Sequence, residues 1–201
     1  KNRMDFIALY ATHTRQLTEK LVLNEGVRIG TSTLYAHFSD KTFFPFPFDD
    51  VKQRNLTTSA SIGLNWTPAD WKFSILGSSG FRSPNIDDLA KVFESVAGSA
   101  SATGTLIVPN PDLKPEKTLN LDLGVTRYIG KGRIGGTVFA TRMSDAIATR
   151  AFNLDGQATV DYDGFPANVF ANQNVSNAFI YGTSVLADVP VATEWKFRSE
   201  E

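Results

Sequence analysis

Residues 56–66 alternate without a break: Leu56, Thr58, Ala60, Ile62, Leu64 and Trp66 share one parity, and Thr57, Ser59, Ser61, Gly63 and Asn65 the other. Successive side chains of a strand point to opposite faces, so a repeat of two predicts a strand with one apolar and one polar side, where a helix would repeat every ~3.6 residues. The same rule governs much of the chain. Trp71, Phe73, Ile75 and Phe81 oppose Lys72, Ser74, Ser78, Gly80 and Arg82, with Leu76 as the exception. Leu119, Leu121, Leu123 and Val125 alternate with Asn120, Asp122, Gly124 and Thr126. Leu21, Leu23, Val27 and Ile29 oppose Lys20, Val22, Asn24, Gly26, Arg28 and Gly30, in a strand expected to run on to Phe38. Phe179, Tyr181, Val185 and Ala187 alternate with Ile180, Gly182, Ser184 and Leu186, and 133–149 alternates less cleanly.

Many of these segments match or exceed the roughly 9 to 11 residues of a tilted membrane strand, against about 5 to 6 in soluble sheets. Their connections alternate too. Short turns near Arg15, Pro68, Gly130 and Pro190 take turns with long Pro-, Gly- and Asp-rich stretches at 39–55, 83–118 and 152–172. Such a meander has one rim of tight turns and one of large loops, the layout of an outer-membrane barrel. A bilayer offers the backbone no hydrogen-bonding partner, so a sheet crosses it only when every strand is paired. Trp66 and Trp71 flank one short turn, where an aromatic girdle would meet the headgroups. The expected fold class is all-β, an antiparallel meander of long strands forming part of a transmembrane β-barrel. A soluble, secreted β-sandwich that binds carbohydrate is the alternative, since its strands also alternate. In a sandwich Leu56, Ile62, Leu119 and Leu121 would converge on one dry centre; in a barrel they face lipid.

Composition removes other classes. Charged or polar residues interrupt every apolar run before the ~18 to 20 residues of a spanning helix. A formal charge of -1 with interspersed signs gives no basic stripe for nucleic acid. Absence of cysteine removes a disulfide framework and thiolate chemistry. No nucleophile elbow, phosphate-cradling loop or metal-spaced histidine cluster is present, so no enzyme, catalytic residue, metal or cofactor is expected. His13 and His37, expected on neighbouring strands, lack a third ligand. Asp155, Asp161 and Asp163 with Gly156 and Gly164 read as turn chemistry, lacking the spacing and closing Glu of a calcium loop. The start carries no signal-peptide pattern, and both ends read as strands cut short.

Two motifs add a family. Gly80, Phe81, Arg82, Ser83, Pro84, Asn85, Ile86, Asp87, Asp88 and Leu89 are followed by Asn110, Pro111, Asp112, Leu113, Lys114, Pro115 and Glu116. The pair resembles the barrel signature of TonB-dependent receptors, in which a Phe-Arg-(Ala or Ser)-Pro strand exit precedes a large extracellular loop and Asn-Pro-x-Leu-x-Pro-Glu opens the return strand. Asn172, Gln173, Asn174 and Val175, with Ala178, Ile180, Tyr181 and Gly182, resemble a later strand of the same barrel. The resemblance covers 80–182 directly.

It implies that residues 1–201 are a partial barrel domain of about eight strands, with the plug domain and remaining barrel lying outside it. The parent would be a transporter of the Gram-negative outer membrane importing a bulky, scarce nutrient: a ferric siderophore, haem, cobalamin or a glycan fragment. Its partners would be outer-membrane lipid, TonB through the plug region, and the transported ligand. Independently, Pro111 and Pro115 hold the return strand extended. Parity puts Arg82 and Glu116 on polar faces at the long-loop end, where they are expected to meet inside the lumen and pin register. The spacing of Leu89, Val92 and Phe93 predicts a short loop helix over 86–94. Phe43, Phe44, Phe46 and Phe48, interleaved with Pro45 and Pro47, are expected in a long loop, either touching ligand or folding onto the barrel mouth.

Overall fold

The computed structural model describes residues 2–37, 50–90, 93–95, 103–162, 164–192 and 195–200. Its frame is a meander of long antiparallel strands: β1 Asn2–Thr18, β2 Leu21–His37, β3 Asp50–Trp66, β4 Trp71–Arg82, β7 Glu116–Ile129, β8 Gly132–Ala151 and β10 Phe165–Ala192, followed by β11 Trp195–Glu200. Between β4 and β7 lie the helix α1 Ile86–Ala90 and the short strands β5 Phe93–Ser95 and β6 Gly104–Val108; β9 Thr159–Tyr162 lies between β8 and β10. The eleven strands belong to one sheet that does not close on itself.

The registers keep parity across the wall. Leu23 pairs with Leu64, Leu64 with Ile75, Ile75 with Leu123 and Leu123 with Val138, so the apolar rows of separate strands merge into one continuous face. That face is not a core: Leu56 is 74% exposed, Ile62 56%, Leu119 62% and Leu121 47%. The β-sandwich therefore falls, because its defining apolar residues stand on an open surface. Burial instead concentrates at the long-loop end. Leu34, Ala36, Val51, Leu89 and Leu113 form one cluster on the opposite, inner face; Leu106, Val108, Ala167, Val169 and Ala171 form another where β6 joins β10.

At the turn end, Trp66 and Trp71 both stack on Phe73, with ring centroids 5.3 and 5.9 Å apart. This aromatic row lies beside the turn that carries Ala69 in the left-handed region at φ 47°. Thr67 N donates to Lys20 O at 2.8 Å, tying neighbouring turns together.

One stretch of wall is not zipped. β3 and β4 pair only from Ser61 with Ser78 to Trp66 with Phe73. Just beyond, the Ser79 hydroxyl accepts from Ala60 N at 2.9 Å and donates to Ala60 O at 3.4 Å. A side chain thus replaces the next ladder rung, and among the described residues no β3–β4 pairing continues past it.

Several boundaries differ from the sequence expectation. The first turn falls at Glu19 and Lys20, not near Arg15, because β1 pairs through Thr18 with Leu21. β3 starts at Asp50, inside the stretch expected to be loop, since Val51 pairs with Ala36 and buries its side chain. β10 starts at Phe165, not beyond Asn172, because β9 and β6 supply pairing partners for its outer end. Pro190 does not close its strand: it pairs with Lys196 beside a register shift, an irregular position of the kind where a sheet tolerates proline. The helix expected over 86–94 ends at Ala90, and Phe93 is already strand. His13 and His37 do lie on adjacent strands, but His13 sits beside Glu25 (3.1 Å) and His37 beside Asp50 (2.7 Å) at the far end. Phe43, Phe44, Phe46 and Phe48 lie outside the described residues.

Candidate functional site

The two motif segments meet on the inner face of the wall at its long-loop end. β4 delivers Arg82 and β7 begins at Glu116; the two residues are directly paired, so their side chains share a face. Arg82 Nε donates to Glu116 Oε2, while Arg82 Nη1 donates to Asp88 Oδ2 at 2.7 Å. The expected contact between Arg82 and Glu116 is made, on the inner face of the sheet. Glu116, only 8% exposed, uses its other oxygen to accept from Ile147 N at 2.7 Å, so one carboxylate ties β4, β7 and β8.

Asp88 holds the second arm. Its backbone N–H donates to Asn85 Oδ1 at 2.8 Å, and its carboxylate accepts from Asn85 N at 3.0 Å. This reciprocal pair three residues apart is a capping box, and it fixes the start of α1 against Arg82. From this short helix Leu89, fully buried, enters the inner cluster with Leu34, Ala36, Val51 and Leu113. Pro84 is buried beneath the exit, and the buried hydroxyls of Ser83 and Ser32 lie 2.8 Å apart.

The return segment is tied to β10. Asn110 Nδ2 donates to Asn172 O at 2.7 Å, and Asn172 Nδ2 donates to Asp88 O at 3.0 Å. Asn174 Oδ1 accepts from Lys114 N at 2.8 Å, and its amide nitrogen donates to Lys114 O at 2.9 Å and Asp145 O at 2.6 Å. Asn174 thus reads the backbone of 114 as a strand would, where Pro115 prevents a regular ladder. Asp145 stands there at φ 56°. Gln53 Nε2 donates to Leu113 O, fastening the same segment to β3.

Of the expected motif residues, Arg82, Pro84, Asn85, Asn110, Leu113 and Glu116 assemble into one brace. Phe81 belongs to the opposite parity and leaves it, and Pro111 is exposed. The Asn172 and Asn174 bridges, Asp88 as the partner of Arg82, and Gln53 were not foreseen as contacts. The Asn85-to-Asp88 spacing was the one available signal, a cap residue followed three positions later by an acid. The carboxylates of Asp88 and Glu116 are engaged by guanidinium and backbone N–H donors, and the amides of Asn110, Asn172 and Asn174 by backbone groups. Among the described residues no group of three or more metal-binding side chains gathers. The arrangement ties a loop-borne segment to β2, β3, β4, β7, β8 and β10.

An exposed apolar outer face, a polar inner face and a rim braced from within define part of the wall of a transmembrane β-barrel. Residues 1–199 match the family described as TonB dependent receptor-like, beta-barrel, and the chain belongs to that family. Hemoglobin and hemoglobin-haptoglobin-binding protein A of Haemophilus influenzae is 28% identical over 137 residues, which is 66% of this chain but 12% of the relative. A probable hemoglobin and hemoglobin-haptoglobin-binding protein 4 of the same species is 26% identical over 131 residues, again 12% of its length. Among solved structures, the siderophore receptor PirA from Pseudomonas aeruginosa superposes with a TM-score of 0.65 at 16% identity, over 99% of this chain and 42% of its own. The Serratia marcescens hemophore receptor HasR, solved with its hemophore HasA and heme, gives 0.69 at 16% identity over 92% of this chain and 32% of its own. At such identities the likeness is one of fold.

Proposed function

We propose that this chain is a section of the wall and outer rim of a Gram-negative outer-membrane transporter that takes in a bulky, scarce nutrient with energy delivered through TonB. The observation that carries this is the two-sided wall. Leu56, Ile62, Leu119 and Leu121 present apolar surface outward, while the inner face carries the polar brace at the loop end. Haem leads the cargo class, because two relatives are named for haemoglobin binding; ferric siderophores, cobalamin and glycan fragments complete it. Transported ligand, TonB and outer-membrane lipid are the partners in this proposal, and the brace holds the rim to which the long loops are anchored.

The test is deletion of the full-length parent gene, followed by growth on haemoglobin, haem or single ferric siderophores as the sole iron source and by uptake of labelled cobalamin and glycans. Loss of one activity, restored by the intact gene and abolished by a protonophore, is the expected result. Unchanged uptake of every cargo, or recovery of the parent outside the outer-membrane fraction, refutes the proposal. Deleting residues 43–48 from the parent should weaken uptake if Phe43, Phe44, Phe46 and Phe48 grip the cargo; full uptake removes them from that role.

A further inference from the structure

The outward apolar face is not uniformly convex. At its turn end a trough of about 380 Å³ opens between Leu21, Leu64, Trp66, Phe73, Ser74 and Ile75. Leu21 and Leu64 are half-buried, whereas Ile62, on the same row as Leu64, is 56% exposed. The two leucines therefore lie low while the aromatic residues stand up at the edge. Trp66, Phe73 and Trp71 form a continuous stack leading out of the trough. At its far end the Arg127 guanidinium sits 5.2 Å from the Trp71 ring centre, across the strand pair that joins Trp71 to Arg127.

From this geometry we infer a phospholipid site: one acyl chain lies in the trough and the phosphate accepts from Arg127. The inference rests on the reading that this face meets a bilayer. Charge complementarity selects the occupant. Among the described residues no ion pair engages Arg127, so its cation is free for an outside anion. A guanidinium stacked on an indole is pre-organised, and its in-plane N–H donors match a phosphate in a way that an ammonium does not. Tryptophans at the barrel's turn end mark headgroup depth, which puts the cation level with lipid phosphates and the trough level with the chains. A detergent or a second copy of the chain would use the apolar lining but leave Arg127 unmatched. The hydrogen bond from Thr67 N to Lys20 O joins the neighbouring turns at this end of the trough.

Native mass spectrometry of the full-length parent, released from detergent after titration with phosphatidylglycerol or with diacylglycerol carrying the same chains, tests this. One phosphatidylglycerol should bind above the distributed background, with diacylglycerol weaker. Arg127→Gln should lower the affinity about fivefold, the contribution of one basic residue at an anionic surface. Arg127→Lys should recover part of that loss. Leu64→Trp, which raises the trough's floor with another apolar group, should lower affinity for both lipids. Equal binding of the two lipids, retention by Arg127→Gln, or a dimer in place of the lipid peak overturns the inference. Outer-membrane fractionation of the same variants separates this from the broader reading: a parent that inserts normally yet holds no phosphatidylglycerol refutes the site alone, and one that does not insert refutes the lipid-facing wall.

Discussion

Glu116 is where the brace is most open to attack. Its two oxygens serve Arg82 Nε and Ile147 N, so replacement by alanine removes a charge partner and strips a backbone donor at once. The orphaned N–H costs about 1 to 3 kcal/mol. Because the Arg82 side chain is 46% exposed, water screens the ion pair, and its loss adds only about 1 kcal/mol. The sum of roughly 2 to 4 kcal/mol should appear as local opening, not global unfolding, since the wall ladders remain; it corresponds to about 30- to 1,000-fold faster amide exchange. Hydrogen exchange on the full-length parent in detergent should show this at Ile147, and at Leu89 through the slackened Arg82–Asp88 contact, with mid-wall amides such as Leu121 unchanged. Glu116→Gln keeps an acceptor for Ile147 and loses only the charge, so it should accelerate exchange by less than about tenfold. Unaltered exchange at Ile147 in Glu116→Ala, or equal effects of Gln and Ala, would refute the idea that this carboxylate joins β8 to the rim.

Other substitutions probe the two faces. Leu121→Arg places a charge on the outward row and should cost about 2 to 4 kcal/mol near mid-bilayer, read as loss of assembled parent from the outer membrane, while Leu121→Phe should assemble normally. Leu89→Ala should cost about 2 to 5 kcal/mol and admit protease at the rim without releasing the wall. A side chain added at Gly182 meets the Phe139 ring, 2.8 Å from an added Cβ. Gly182→Val should therefore destabilise the parent by about 1 to 3 kcal/mol, and Phe139→Ala in the same molecule should recover part of the loss.

The wall was legible because the pleat imposes its period on every residue that faces lipid. Leu119, Leu121 and Leu123 announce their face with no knowledge of neighbours, and parity alone put Arg82 and Glu116 on one side. Boundaries were less legible because they depend on partners remote in sequence. The outer end of β10 is strand because β6, some sixty residues earlier in the chain, runs parallel beside Ala167, Val169 and Ala171; nothing local marks that pairing. The same holds for Asn172 and Asn174. In sequence they are two polar residues on an inner face, and only the docking of 110–114 turns their amides into substitutes for a ladder. The Asn85–Asp88 cap, with both partners within one turn, carried a local spacing signal, yet it was not among the expected contacts.

The Ser79 hydroxyl that ends the β3–β4 ladder leaves a slit in the wall's backbone pairing. Past that rung, residues 57–60 and 79–82 are held by their other neighbours: β3 by β2 along its whole length, β4 by β7. Across this slit no backbone ladder among the described residues joins β3 to β4, so each of the two segments takes its backbone bonds from the strand on its other side. The rim that carries Arg82 and the tryptophan end at Trp66 and Trp71 are thus bound to β3 differently: the first through a side-chain hydroxyl at most, the second through a backbone ladder.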